Sequence, residues 1–287
     1  MSTRSRSCTC SRPKCSDFGL GGVSPSVYVT TQCPMHCGVY LAYRLLITLY
    51  LLGYFLYLFI VSVRPGGPYG GYFFIYLTHW GYILMLAYQI CALWNIIVYA
   101  AFMKPAGWTS DDDVPWYFFH RGQWMLFNMY ASVAILLSLL YWGALYVPGT
   151  VDLYYDINFH TLNGIVALIE IFLSAMVIRI LHFIYPFMFA VAYVVFAGIY
   201  YAAGGTDEEG NPSIYSILDF GANPGLSAGL AIGAVVVVVV VHILIVWGLH
   251  KLKVLVFDRC CPSCFPNENV ENRDPVELEG DSQELKV

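Results

Sequence analysis

Two short polar clusters interrupt an otherwise apolar chain. The stretch YFFIYLTHWGYILMLAYQI, residues 72–90, sets Thr78 beside His79 and reaches Gln89 three turns later. The stretch DINFHTLNGIVALIE, residues 156–170, opens with Asp156, Asn158, His160, Thr161 and Asn163 and closes on Glu170. A hydroxyl and an imidazole are the parts of an acyl-transfer site. Histidine takes the hydroxyl proton, and the oxygen, otherwise a poor nucleophile, attacks a carbonyl.

What these groups can do depends on the elements that carry them. Of 287 residues, 59% are hydrophobic and 11% charged, with a mean hydropathy of +0.63. A soluble domain carries about a quarter charged residues. Six runs are long and apolar enough for a helix to cross a bilayer, about 39–63, 72–102, 123–147, 160–181, 183–203 and 226–249. The short alternating segments of a membrane barrel are not visible. The expected fold is an all-α integral membrane protein, a six-transmembrane helical bundle with both termini cytoplasmic. Thirteen of the fourteen Lys and Arg, Arg44 among them, then fall on the cytoplasmic side, and Arg64 alone falls on the far side. The expected organisation is a cysteine-rich cytoplasmic segment (1–37), a six-span membrane domain (38–255) and an acidic, disordered cytoplasmic tail (256–287). Residues 1–37 have no central apolar stretch, so the first span is expected to act as a signal anchor.

In this topology the second and fourth spans both begin on the far side. Thr78 lies about six residues, ~9 Å, inside its span, and His160 opens its own, so the two share a depth. They are the candidate catalytic pair. His79 points about 100° away. Asp156 or Asn158 could orient the imidazole, and Tyr82, Asn163 and backbone groups are candidates to meet an oxyanion. Asn163, Glu170 and Ser174 recur at helical spacing and should face the bundle. Glu170 lies about 15 Å along the helix from His160, too far to touch it, and is expected to partner Asn128 or a tyrosine. The competing reading is structural: a membrane threonine bonds its own backbone or a neighbouring helix, and an interfacial histidine packs or is solvated.

Cys8, Cys10, Cys15, Cys33 and Cys37 precede the first span, and RCCPSC follows the last. Cys37, Cys260 and Cys261 lie near the membrane and are candidate S-palmitoylation sites. The cysteine spacing is not a standard zinc pattern, so no metal or other cofactor is expected. No basic stripe points to nucleic acid. The expected partners are membrane lipids, a lipid-ester substrate and a protein meeting the far-side loops.

The segments YLTHWGY, WMLFNMYASVAILLSLLYW, NFHTLNG, RILHFIYP, AGIYYAAGG and SIYSILDF together resemble the rolling stone proteins, from about residue 38 to 255. That family is similar, more distantly, to the androgen-induced gene and androgen-dependent TFPI-regulating proteins, six-span hydrolases of fatty acid esters of hydroxy fatty acids. The resemblance implies a threonine nucleophile at Thr78, in Tyr-Leu-Thr, and a histidine at His160, followed by threonine. This chain departs from the hydrolases around both motifs, with His79 and Trp80 after the threonine and NFHTLN around the histidine. The rolling stone branch is itself associated with myoblast fusion. Three functions follow: an intramembrane lipid-ester hydrolase, a non-enzymatic protein of cell fusion or adhesion, and a transporter, which no broken-helix pair supports. The plasma membrane is favoured over the endoplasmic reticulum.

Overall fold

The computed structural model describes residues 15–33, 35–64, 70–106, 114–147, 153–215 and 218–260. Six helices among them are long and apolar enough to cross a membrane: α1 (Gly38–Val63), α2 (Leu77–Met103), α3 (His120–Gly143), α4 (Leu153–Leu173), α5 (Ile180–Ala202) and α6 (Pro224–Phe257). Helix is what apolar sequence adopts in lipid, because it satisfies every backbone N–H and C=O within the segment. Among the described residues the only β pairing is an isolated bridge from Thr31 to Ser174.

Three boundaries differ from the hydropathy pattern. The second helix begins at Leu77, not 72, because Gly70–Ile75 forms a tight 3-10 turn. The fourth runs from Leu153 to Leu173 rather than 160–181, and residues 174–179 are extended and largely buried. Extended backbone survives inside a bundle only if its polar groups find partners. Here Ala175 N–H donates to Thr30 O, and Gln32 N–H donates to Leu173 O. Buried Lys253 donates to the carbonyls of Ser174 and Met176. The sixth helix continues to Phe257, which carries Lys253 to that position.

α2 and α4 run parallel, because their contacts advance in step. The His79 ring meets Phe159 at 4.9 Å between centroids, and a Cβ added to Gly81 would lie 3.8 Å from the Asn163 amide nitrogen. Further along, Tyr88 and Gln89 both donate to Glu170, at 2.8 and 3.2 Å. α3 closes on both helices. Its Leu137 and Ser138 stand where Gly81 and Gly164 lack side chains, and a Cβ at either glycine would meet them at 2.5 Å. Absent side chains let helices approach closely in lipid.

Arg44, counted from the sequence with the cytoplasmic-side cations, lies within α1, fully buried and ion-paired to Glu170 at 2.8 Å. A guanidinium inside a bundle needs an acid and acceptors for its remaining donors. Tyr40 and Gln89 supply those acceptors. Asn128, the other expected partner of Glu170, instead donates to Trp124 O.

Candidate functional site at the mouth of the second helix

Thr78 is the second residue of α2, so it stands at the helix mouth rather than six residues inside. The first N–H groups of a helix have no intrahelical acceptor. The N-cap residue, Tyr76, makes no side-chain cap, although its carbonyl accepts from His79 and Trp80 N–H. The hydroxyl oxygen of Tyr215 fills the gap, accepting from Leu77 N–H at 2.9 Å, and the Thr78 hydroxyl and N–H also act on it.

Tyr215 comes from the connection between α5 and α6, whose residues 204–215 are tied down at several points. Asp207 accepts from the N–H groups of Glu209 and Asn211, at 3.0 and 2.7 Å, and from the Asn211 amide at 2.8 Å. Gly204 and Gly210 turn the chain at φ +77° and +85°, the left-handed region that glycine enters without strain. Tyr76 O–H donates to Glu208, and Tyr193 of α5 donates to Ile75 O at 2.8 Å. Both tie the loop and its supporting helix to the entry of α2.

His160 lies in a widened turn of α4, Ile157–Thr161, with π-type bonding. Such turns occur often at functional sites because they re-aim a side chain. Its ring lies flat on Tyr141, 3.4 Å between centroids with planes 6° apart. Ser138 O–H donates to its carbonyl. Its Nδ1 is buried and has no hydrogen-bond partner among the described residues. Asp156 does not bond the imidazole; it accepts from Tyr141 O–H and so fixes the ring on which His160 rests.

Among the described residues no hydrogen bond joins Thr78 to His160: His160 rests on Tyr141 and Ser138 of α3, whereas Thr78 bonds Tyr215 of the loop between α5 and α6. Around α2, Thr78 falls between the directions of Gly81, which meets Asn163, and Tyr82, whose ring meets Phe159 at 4.8 Å. Thr78 lies one turn before Gly81, and His160 one turn before Asn163. A threonine in a helix divides between two χ1 rotamers. One rotamer step separates the Thr78 hydroxyl seen near Tyr215 from another direction around its Cβ.

The remaining candidates divide by what they touch. Tyr82 donates to Leu51 O at 3.1 Å, which ties up the hydroxyl expected near an oxyanion. The Asn163 amide donates to Phe159 O, and its buried Oδ1 has no partner. Asn158 accepts from Tyr50 O–H and donates to Tyr154 O, away from the imidazole. His79 is held at both ring nitrogens: Nδ1 meets Phe73 O, and Nε2 lies 2.8 Å from Tyr155 O–H. If Nδ1 carries the proton, as the carbonyl requires, Nε2 accepts from the tyrosine. The side chains of Cys37 and Cys260, and all of Cys261, lie outside the described residues. Sequence reasoning did not single out Tyr215 or Tyr141. The signal available for Tyr215 was SIYSILDF in the long connection between the last two apolar runs.

The family model described as Protein rolling stone matches residues 28–270. The Drosophila melanogaster Protein rolling stone is 30% identical over 228 residues, covering 75% of this chain and 78% of that protein. No solved structure matches.

Proposed function

Because this chain belongs to the rolling stone family of multi-pass membrane proteins, we propose that it is a membrane-embedded hydrolase of lipid esters, with Thr78 as nucleophile and His160 as general base. The observation that supports the reading is the buried Nδ1 of His160, which meets no hydrogen-bond partner among the described residues. A buried ring nitrogen without a partner costs about 1–3 kcal/mol, a cost that a proton-accepting role explains.

In this mechanism Thr78 turns to α4 and gives its proton to His160 as its oxygen attacks the ester carbonyl. The imidazolium returns the proton to the departing alkoxide. Water, deprotonated by the same histidine, then releases the acid from acyl-threonine. Asp156 acts on Tyr141, which holds the imidazole plane. Catalytic hydrogen bonds are often unmade before substrate binds, so the open arrangement is compatible with this chemistry. A groove of about 240 Å³ between α3 and α4, lined by Ser138, Leu139, Trp142, Thr161, Gly164 and Leu168, is where an acyl chain would lie. In the same proposal both termini face the cytoplasm, the Tyr215 loop faces outward, and the plasma membrane is the site of action.

Labelling of membranes by a lipophilic fluorophosphonate tests the reading. Thr78→Ala and His160→Ala should abolish labelling that His79→Ala retains when the protein is intact. An abundant, folded wild type that neither labels nor hydrolyses a panel of lipid esters overturns it. The function then becomes that of a non-enzymatic fusion or adhesion protein acting through its outward loop.

A further inference from the structure

We propose that Tyr215 is the oxyanion donor of the Thr78 site, so that the loop between α5 and α6 completes the catalytic centre. The inference rests on Thr78 being the nucleophile and assigns a role that the two facing helices leave open.

Acyl transfer at Thr78 puts negative charge on the former carbonyl oxygen, within bonding distance of the attacking hydroxyl. A donor must therefore lie close to the threonine. Tyr82 is occupied by Leu51 O, and the Asn163 amide spends one of its two N–H donors on Phe159 O, whereas Tyr215 bonds Thr78 itself. The Tyr193 hydroxyl and the Thr78 hydroxyl and N–H bond the Tyr215 hydroxyl, so the phenol sits beside the threonine, and its oxygen also accepts Leu77 N–H at 2.9 Å. Accepting that bond polarises the phenol and strengthens its O–H as a donor. The positive end of the α2 dipole acts in the same direction. Burial holds the Tyr215 phenol above its ordinary pKa, so the proton needed for donation stays in place.

The loop is built to hold this position. Asp207 closes its first turn, Tyr76 holds Glu208, and the Tyr215 ring packs edge-on to Tyr76 at 5.9 Å. In acylation the Thr78 proton passes to His160, the Thr78 Oγ–carbonyl bond forms, and the carbonyl π pair moves to oxygen. Tyr215 donates a hydrogen bond to that oxygen without transferring its proton. Collapse breaks the ester C–O bond, and the alkoxide takes the proton from His160.

The test uses full-length protein in membranes, with fluorophosphonate labelling, lipid-ester turnover and detergent melting as readouts. Tyr215→Phe should lower the melting temperature modestly, because Leu77 N–H loses its acceptor, and keep Thr78 as the labelled residue, while kcat falls about 10²–10³-fold. Replacement by 3,5-difluorotyrosine should restore turnover and move the alkaline limb of its pH profile downward, because that phenol ionises more readily. A purely structural tyrosine would leave the limb in place. Unchanged turnover in Tyr215→Phe, or an unshifted limb with difluorotyrosine, overturns the donor role while leaving Thr78 as nucleophile. A wild type labelled elsewhere, or inert to probe and esters, overturns the nucleophile assignment and this inference with it.

Discussion

Arg44 and Glu170, 126 residues apart, form a fully buried ion pair that joins α1 to α4. Tyr43 and Tyr88 donate to the carboxylate at 2.8 Å each, and Gln89 both donates to Glu170 and accepts from Arg44. Three helices therefore close on one carboxylate. An ion pair in this setting is held against a large desolvation cost, so its partners depend on one another.

Breaking the pair from one side should be worse than removing it whole. Glu170→Gln or Arg44→Met alone should destabilise the protein by about 3–5 kcal/mol, because each strands a buried group. The double substitution should cost less than the sum of the singles. Denaturation of all three variants in mild detergent gives the coupling; strict additivity would mean that the contact carries no energy.

His79 and His160 should separate cleanly between stability and activity. His79 loses two ring-nitrogen partners and a ring stacked on Phe73 at 4.1 Å when replaced by alanine. We expect His79→Ala to cost about 2–3 kcal/mol of stability. His160→Ala removes a ring whose Nδ1 bonds nothing among the described residues, so turnover should fall more than about 100-fold, as for loss of a general base, with a smaller loss of stability. Parallel melting and labelling measurements distinguish the two.

Gly164 should tolerate no side chain. A Cβ there meets the Ser138 oxygen at 2.5 Å, and α3 must move aside to admit it. Gly164→Val is expected to cost about 1–3 kcal/mol from overpacking. Gly233, where an added Cβ would meet nothing within 4 Å, is the matched control. Equal stability loss at both positions in thermal unfolding would show that helix propensity, not close approach, dominates.

The Tyr215 loop should loosen in acid. Desolvation is the largest single influence on Asp207 and raises its pKa, but the combined donation from Asn211 and from the backbone of Glu209 and Gly210 outweighs it and leaves the group below its usual carboxylate value. A depressed folded pKa adds stability that is present above the unfolded value and is lost as pH falls through the folded one. Exchange of the Asn211 and Glu209 amides should therefore accelerate, after correction for intrinsic rates, only below the ordinary aspartate range. Asp207→Ala should exchange fast at all pH values. Protection unchanged by that substitution would exclude Asp207 as the clasp.

Much of the candidate site was legible from residue type and helical arithmetic. His160, Asn163 and Glu170 are buried in the bundle, as their spacing along α4 predicts; Ser174 is buried too, but in extended chain beyond the helix end, where it pairs with Thr31. Gln89, Met85 and Tyr82 line the buried side of α2 below Thr78, as their spacing also predicts. The partners were not legible, because each lies on a distant segment. Arg44 reads as a cytoplasmic-side cation when only the distance to a span end is counted. Tyr215 reads as one tyrosine among many in a polar loop. The Ile157–Thr161 turn carries no composition signal, because its widened bonding is a response to packing rather than a local preference.

The sequence by itself determined that this is a bundle of apolar helices, since its apolar runs are too long and too uniform for barrel strands and a helix satisfies their backbone within the segment. It also determined which faces turn inward, since polar groups cannot rest against hydrocarbon. Only the tertiary structure decided which polar groups meet: Arg44 with Glu170, His79 with Tyr155, and Tyr215 with the mouth of α2. Helical periodicity sets a direction around one axis. The choice among facing side chains is made where glycines permit close approach, where bonding widens a turn, and where a loop of matching length reaches the helix end.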